Sequence, residues 1–458
     1  MMKKKKYKKK VSENKVELNK LVTSINNIGN NFNEHWNAEN IKTYSFLSHS
    51  WFDINVSVNK DTCLHTHYNF DTEKLKPVTY KCAKQIILPN EEQKRILLNW
   101  FDAYAKMYNE TLRVLKKMQY NGGTTSFSFQ TVRTEYMKNI KESILNASGE
   151  SKDTRIPCHT LDCAIKDVCT SFKSAFTNLR NGNIKHFRIR YLKSSKLQKI
   201  LKLEQSAFQS MNKNTFCPSV FGEKIITNNN IDFSDVECGA TILYNSRNNR
   251  FTLLKPIKIN MSDNNDFKMY KYISLDPGIR TFLTGYSHKH VTEICTNLKE
   301  KISEQLKNID LINKSNLSKK KKKKAENKRY EKIKNLVDDL HWKTIKHLTD
   351  KYDTILIGNM STKSIVKNKS VGDLDNMTKR VALLMKLYEF RERLKYKCYI
   401  NGCKYGNINE MYTSKTCSYC GNVKENLKGN KIYKCEKCHI VIDRDINGAR
   451  NILMKSIL

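Results

Sequence analysis

The chain has 458 residues, 39% of them hydrophobic and 10% aromatic, enough for two or three domains with sizeable cores, which excludes a disordered polymer. Its 83 Lys and Arg against 45 Asp and Glu give a formal charge of +38, far more than solubility requires, so a polyanion is the expected partner. A membrane surface is the rival, but the sequence holds no run of about 18 apolar residues, no signal peptide and no lipidation motif, so nucleic acid is expected and no membrane.

Residues 1–77 open with "MMKKKKYKKK" and stay polar and Asn-rich; they are expected as a basic, partly flexible extension, with nuclear import or RNA contact as its functional readings. "VTYKCAKQIILP" (78–89) alternates like a strand, and the helical pattern that follows begins with Asn90 as a cap and Glu91 and Glu92 in the first turn. A second helical block spans 159–182 and stops at Gly182. Between 184 and 262 the runs "KHFRIRYL", "GATILYN" and "RFTLLKPIKIN" read as short strands, so 90–183 is a helical insertion in a small β-structure.

From 268 the pattern changes. "MYKYISLDPGIRTFLTGYS" predicts two strands about a turn at Asp276, Pro277 and Gly278. A helix is expected over 326–350, with Ile333, Val337, Leu340, Ile345 and Leu348 on one face, preceded by six lysines at 319–324 that are either a solvated face or a phosphate contact. "DTILIG" is a continuous apolar run of the kind a buried strand shows. Another helix, 378–397, carries Leu383, Leu387, Phe390 and Leu394 as a core stripe. Alternating strands and helices imply an α/β sheet. His341, on the long helix, reads as a packed or phosphate-adjacent side chain and not as a base.

Of 14 cysteines all but four are scattered singly, which suits a reducing, intracellular compartment better than a disulfide scaffold. The four are Cys417-x-x-Cys420 and Cys435-x-x-Cys438, whose spacing is that of two knuckles closing one tetrahedral zinc site. Two redox pairs or unbound thiols are the alternatives. Gly421 relieves the backbone after the second ligand. Four thiolates leave no open position for water, so such a zinc is structural. His439, beside the last ligand, reads as a bystander.

Directly after this clip, "DRDINGARNIL" sets Asp443 and Asp445 at the start of an amphipathic helix with Ile446, Ala449, Leu453 and Ile457 inward. Helix capping alone explains an acid there. Asp276, however, adds a carboxylate at the end of the apolar strand "YISLD", and carboxylates gathered at a strand end repel unless cations neutralise them; a pair of magnesium ions is the usual answer in nucleases.

"SLDPGIRTF", "YDTILIG", "FRERLKYKC", "YTSKTCSYCG", the second CxxC and "DRDINGARNIL" stand in the order and spacing of the RuvC nuclease of transposon-encoded TnpB proteins, and the whole resembles their eukaryotic and giant-virus relatives, Fanzor. "KQIILPNEEQKRILLNWFDAYAKMYNETL" resembles the start of their wedge and recognition lobes. The resemblance covers about 78–458. It implies an α/β RNase H-like (RuvC) domain over 268–458 with a zinc ribbon inserted at 411–440, a wedge β-barrel from 78–89 and 184–262, and a helical recognition lobe over 90–183. It implies an RNA-guided DNA endonuclease of a mobile element, with a guide (omega) RNA and double-stranded target DNA as partners and one protein per guide RNA, in the nucleus of a eukaryotic host or encoded by a giant virus. Carried over by residue, Asp276 and Asp445 are catalytic acids and magnesium ligands. The middle acid is missing, because the strand "DTILIG" ends in Gly358. Fanzor-like members carry a relocated glutamate, and Glu410 in "NINEMYTSKTC" is the expected substitute; its alternative is a surface glutamate. Glu389, inside a helix, and Asp353, at the wrong end of its strand, are poorer candidates. Gly358 also keeps open a guide-dependent DNA-binding protein that does not cut and regulates by occupancy.

Overall fold

The computed structural model describes residues 43–45, 54–58, 80–120, 127–151, 154–193, 195–208, 215–221, 225–227, 238–258, 268–287, 289–362, 366, 374–427 and 430–457. The lysine-rich opening lies outside them, as do the import and RNA-contact readings attached to it. The chain divides into two compact units, 77–260 and a second made of 1–76 with 261–458.

From the first 76 residues, β1 (Thr43–Ser45) and β2 (Ile54–Val58) are strands of the second unit. The unit 77–260 holds a five-stranded antiparallel sheet. It comprises β3 (Tyr80–Leu88), β4 (Gln198–Leu203), β5 (Ile226–Thr227), β6 (Ala240–Asn245) and β7 (Arg250–Lys258), in the order β4-β6-β7-β3-β5. Its helices include α1 (Glu91–Tyr120), α2 (Lys138–Ala147) and α3 (Cys158–Arg180). Asn90 starts α1 as the sequence predicts: its Oδ1 accepts from the Gln93 amide (2.8 Å), and Gln93 Oε1 accepts from the Asn90 amide (3.1 Å), a reciprocal capping box. Trp100, Phe101 and Tyr104 of α1 and Leu161, Ile165 and Phe172 of α3 are buried in one core.

One expectation fails here and one strand is new. "KHFRIRYL" pairs with no strand among the described residues, while the unremarked "QKILKL" forms β4. The reason is that side chains of α1 satisfy backbone groups of the segment. Asn109 both donates to Leu192 O (2.9 Å) and accepts from Leu192 N (2.8 Å), and Lys116 Nζ donates to Ile189 O.

The other unit is built on a seven-stranded sheet. Its further strands are β8 (Tyr270–Pro277), β9 (Leu283–Tyr286), β10 (His290–Ile294), β11 (Tyr352–Gly358) and β12 (Lys404–Ile408), in the order β1-β2-β10-β9-β8-β11-β12. Neighbours from β1 to β8 are antiparallel, whereas β8, β11 and β12 run parallel. Crossover helices α4 (Leu298–Lys314), α5 (Lys319–Lys351), α6 (Asn376–Leu384) and α7 (Leu387–Ile400) serve the parallel strands. Ile273, Leu275, Ile355 and Ile357 belong to the same core as these helices. Tyr272 and Leu356, alternating with them, join a second core with the last helix, α8 (Arg444–Ile457). Burial on both faces is why "DTILIG" carries no polar alternation.

The expected helix 326–350 begins earlier: all six lysines 319–324 lie in α5. Lysine is a good helix former, and Lys322 Nζ donates to Asn313 O (2.9 Å) at the carboxy-terminal end of α4, where cations are favoured. The expected helix 378–397 is two helices, because Lys386 is left-handed (φ +52°). The break turns Leu383 out of the predicted stripe, leaving it 54% exposed, while Leu387, Phe390 and Leu394 stay buried. It is held by His341, fully buried, whose Nε2 donates to Met385 O (3.0 Å) while Arg393 Nη1 donates to Nδ1 (3.1 Å). Burial, then the Arg393 charge, push this imidazole down to about 4, so it is a neutral packed group.

Candidate active site

Side chains alternate along β8, so Tyr272, Ser274 and Asp276 face the α8 side of the sheet. Ser274 Oγ donates to Ala449 O (2.8 Å), which fixes α8 against the strand. A Cβ on Gly448 would come within 3.1 Å of Asp276 Cγ and overlap its Oδ2, so glycine is what admits the carboxylate. This signal was present in the sequence as a glycine inside a helix, which costs about 1 kcal/mol relative to alanine.

Leu275 of β8 pairs with Ile357 of β11, and Gly358 pairs with Ile408 of β12. Asp276 and Gly358 therefore lie level at the carboxy-terminal rim of the parallel strands, and Glu410 follows two residues beyond Ile408, at the edge where α/β sheets bind ligands. The carboxylate of Glu410 fills the space that a side chain at 358 would need: a Cβ there would lie 2.6 Å from Glu410 Cγ and 2.7 Å from Cδ. Glu410 Oε1 accepts from the Met360 amide (2.9 Å), Arg391 Nη1 donates to Met360 O (2.8 Å), and the Glu410 amide donates to Asn359 Oδ1 (3.3 Å). From α8, Lys455 Nζ donates to the carbonyls of Asn409 (3.1 Å) and Met411, on either side of Glu410. None of these supports was read from the sequence, because they come from four separate segments.

Asp443 ends a short strand, Val441–Asp443, and caps α8: its Oδ1 accepts from the amides of Asp445 (2.8 Å) and Ile446 (3.3 Å). The capping reading thus belongs to Asp443, and Asp445 in the first turn is left for other work. Ile446, Ala449 and Leu453 are buried as predicted.

Asp276 feels both of the other acids. Burial, then Glu410 and then Asp445 push the Asp276 carboxyl well above the usual range, against the pull of Arg444. Burial pushes Glu410 up to about 7, opposed by the Met360 amide, Arg391 and Lys455. Burial and Asp443 raise Asp445, opposed by Arg444, Lys431 and Arg280. Raised carboxyls in one place hold protons more readily than isolated ones. Their oxygens are not all within 4.8 Å of one another, a closeness reached among the described residues only by the four cysteines. Glu389 instead pairs with Lys386 (2.9 Å) and Arg393, and Asp353 begins β11, at the opposite end from the rim.

Cys417, Cys420, Cys435 and Cys438 gather their sulfurs within 4.8 Å, with 3.6 Å between Cys417 and Cys438 and 3.5 Å between Cys420 and Cys435. A tetrahedron of sulfurs about 2.3 Å from a zinc has edges of about 3.8 Å, so the group fits a metal of that size. Burial raises the Cys417 and Cys420 thiols, whereas at Cys435 the amides of Cys438 (3.5 Å) and Lys437 (3.4 Å) donate to the sulfur and lower its thiol against the effect of burial. Gly421 sits at φ +71°, and His439 repeats that conformation in the second knuckle at φ +59°.

The arrangement defines a carboxylate-rimmed α/β sheet with a four-cysteine clip. Residues 388–452, which include Glu410, the clip and Asp445, match the TNB domain of Cas12f1-like proteins. TnpB-like proteins L770 and R854 of Acanthamoeba polyphaga mimivirus are each 32% identical over 403 residues, covering 82% of this chain and 74% and 73% of theirs. The chain belongs to the Fanzor/TnpB family. The CRISPR-associated endodeoxyribonuclease Cas12f1 of Sulfoacidibacillus thermotolerans is 29% identical over 130 residues, 28% of this chain and 29% of that one. A cryo-EM structure of a Cas12f1–sgRNA–target DNA complex aligns over 79% of this chain and 83% of that chain at 15% identity, with a TM-score of 0.42. No described helix is long and apolar enough to cross a membrane.

Proposed function

We propose that this chain is an RNA-guided DNA endonuclease of a mobile element, hydrolysing phosphodiesters at Asp276, Glu410 and Asp445 with Mg2+. The observation that carries this reading is the meeting of three carboxylates from remote segments at one strand rim, in a chain of charge +38. The relative named Cas12f1 is an endodeoxyribonuclease, which supports the same reading. Asp276, Glu410 and Asp445 would hold the cations. When bound, the pair supplies an activated water and neutralises the leaving oxygen. The protein's own part is to hold the acids apart and aimed: Met360, Arg391 and Lys455 fix Glu410, and Asp443 fixes the helix start that presents Asp445. Arg280 and Arg444, whose charges reach Asp445, would meet the scissile phosphate.

The four cysteines would take one structural Zn2+. The five-stranded sheet would be the wedge and the helices α1 to α3 the recognition lobe, with a guide RNA held by backbone contacts and base pairing supplying sequence specificity. The mimivirus relatives suit a giant-virus or eukaryotic setting; nuclear import would rest on the lysine-rich opening. The rival, binding without cutting, loses its motive where Glu410 occupies the side-chain space of residue 358. The test is cleavage of supercoiled target by protein copurified with its RNA, which is sequenced to define the target. Cutting that disappears in Asp276→Asn and Glu410→Gln while RNA stays bound supports the proposal; cutting that survives both substitutions removes it.

A further inference from the structure

The segment 186–193 is a basic strap held against α1. Three hydrogen bonds from α1 fix its backbone, and Phe187 packs edge-on against Phe176, ring centres 5.0 Å apart. Phe187 and Ile189 turn inward to the core, while His186, Arg188 and Arg190 alternate outward and are exposed. Along this strap each of the outward three is basic. The strap borders a cleft of about 1040 Å³ lined by eleven residues that include Lys116, Arg188, Arg190, Tyr191, Lys193 and Lys196 and no acid. Among the described residues Arg188, Arg190, Lys193 and Lys196 form no ion pair with a carboxylate. Burial, and then the neighbouring Arg188, lower the Lys116 ammonium, as expected of like charges with no counterion between them. Tyr191 is 46% exposed, and Lys116 Nζ stands 4.5 Å from its ring centre.

Exposed cations in a fixed row bind a chain of phosphates, and an open tyrosine ring takes the face of a base. A duplex keeps its base faces inside the stack, so only an unpaired stretch satisfies both halves of the cleft. We infer that this cleft seats an unpaired strand of the guide RNA, with Arg188 and Arg190 on successive phosphates and Tyr191 stacked on a base. The inference rests on the RNA-guided reading above and adds the place and mode of contact. Guide RNA is favoured over the displaced DNA strand because the protein must hold its guide before any DNA is opened.

The test uses full-length protein and its copurified RNA. Binding is titrated against KCl for the parent, for Arg188→Gln with Arg190→Gln, and for Tyr191→Leu, with single-stranded DNA of the same sequence as a second arm. Each lost phosphate contact to a single strand flattens the slope of log K against log salt by about 0.7, so the double variant should lose about 1.4 for RNA. Tyr191→Leu should weaken RNA binding about tenfold at unchanged slope. Guide RNA carrying photoreactive 4-thiouridine should crosslink to the peptide containing 186–193. An RNA slope that does not change, or a loss felt by DNA alone, overturns the inference. If the target is still cut with guide dependence, the nuclease reading survives that result; if no RNA copurifies, both readings fall.

Discussion

Glu410→Gln separates a metal-binding carboxylate from an ordinary surface acid through its effect on stability. Gln keeps the shape and the acceptor for the Met360 amide and removes the charge. The Glu410 carboxyl is raised from 4.5 to about 7 in the folded protein, so between those pH values the folded state binds more protons than the unfolded one and stability falls as pH rises. Above pH 7 the full penalty is present, roughly 3 kcal/mol for a shift of this size, and at pH 5 it is under about 1 kcal/mol. Without divalent ions the Gln variant should melt higher than the parent at pH 8, by roughly 5–10 °C, and nearly with it at pH 5. Added Mg2+ should raise the parent and close the gap, because ion binding is linked to the folded state. Calorimetric scans of full-length protein in chelator and in Mg2+, at both pH values, measure all of this. A variant that is no more stable than the parent at pH 8 in chelator, or one that Mg2+ stabilises equally, would refute the reasoning.

Gly358→Asp should abolish target cutting, since its side chain collides with Glu410, and combining it with Glu410→Ala should restore part of the activity by returning the acid to the strand end; a single variant that cuts like the parent would count against the shared space. Lys455→Met should raise the Mg2+ concentration needed for half-maximal cutting several-fold while Lys455→Arg largely retains it, because the ammonium ties α8 to the carbonyls beside Glu410. Cys435→Ser should lower bound zinc, measured by elemental analysis, below one per chain and expose 411–440 to protease, as a metal-held fold predicts. His439→Gly should leave zinc content intact and raise the melting temperature slightly, since glycine adopts φ +59° without strain.

The parts of this protein that follow from local pattern were legible in its sequence. The Asn90 cap, the apolar strand β11, the amphipathic α8 and the CxxC pairs each depend on spacing within a few residues, and spacing is written in the chain. The acidic rim was legible only in part. Asp276 and Asp445 stood out by position, while Glu410 was suggested by a missing acid and a family resemblance. What tertiary structure decided is everything that depends on contacts across long separations. Lys386 breaks a helix whose stripe looked continuous because buried His341 takes the Met385 carbonyl. "KHFRIRYL" is no strand because Asn109 and Lys116 occupy its backbone groups. Gly358 is compatible with an acidic site because the Glu410 carboxylate enters the space its missing side chain leaves. Local sequence sets the conformations a segment favours, whereas the partner that satisfies a buried carbonyl or fills a missing side chain's volume exists only once distant segments pack together.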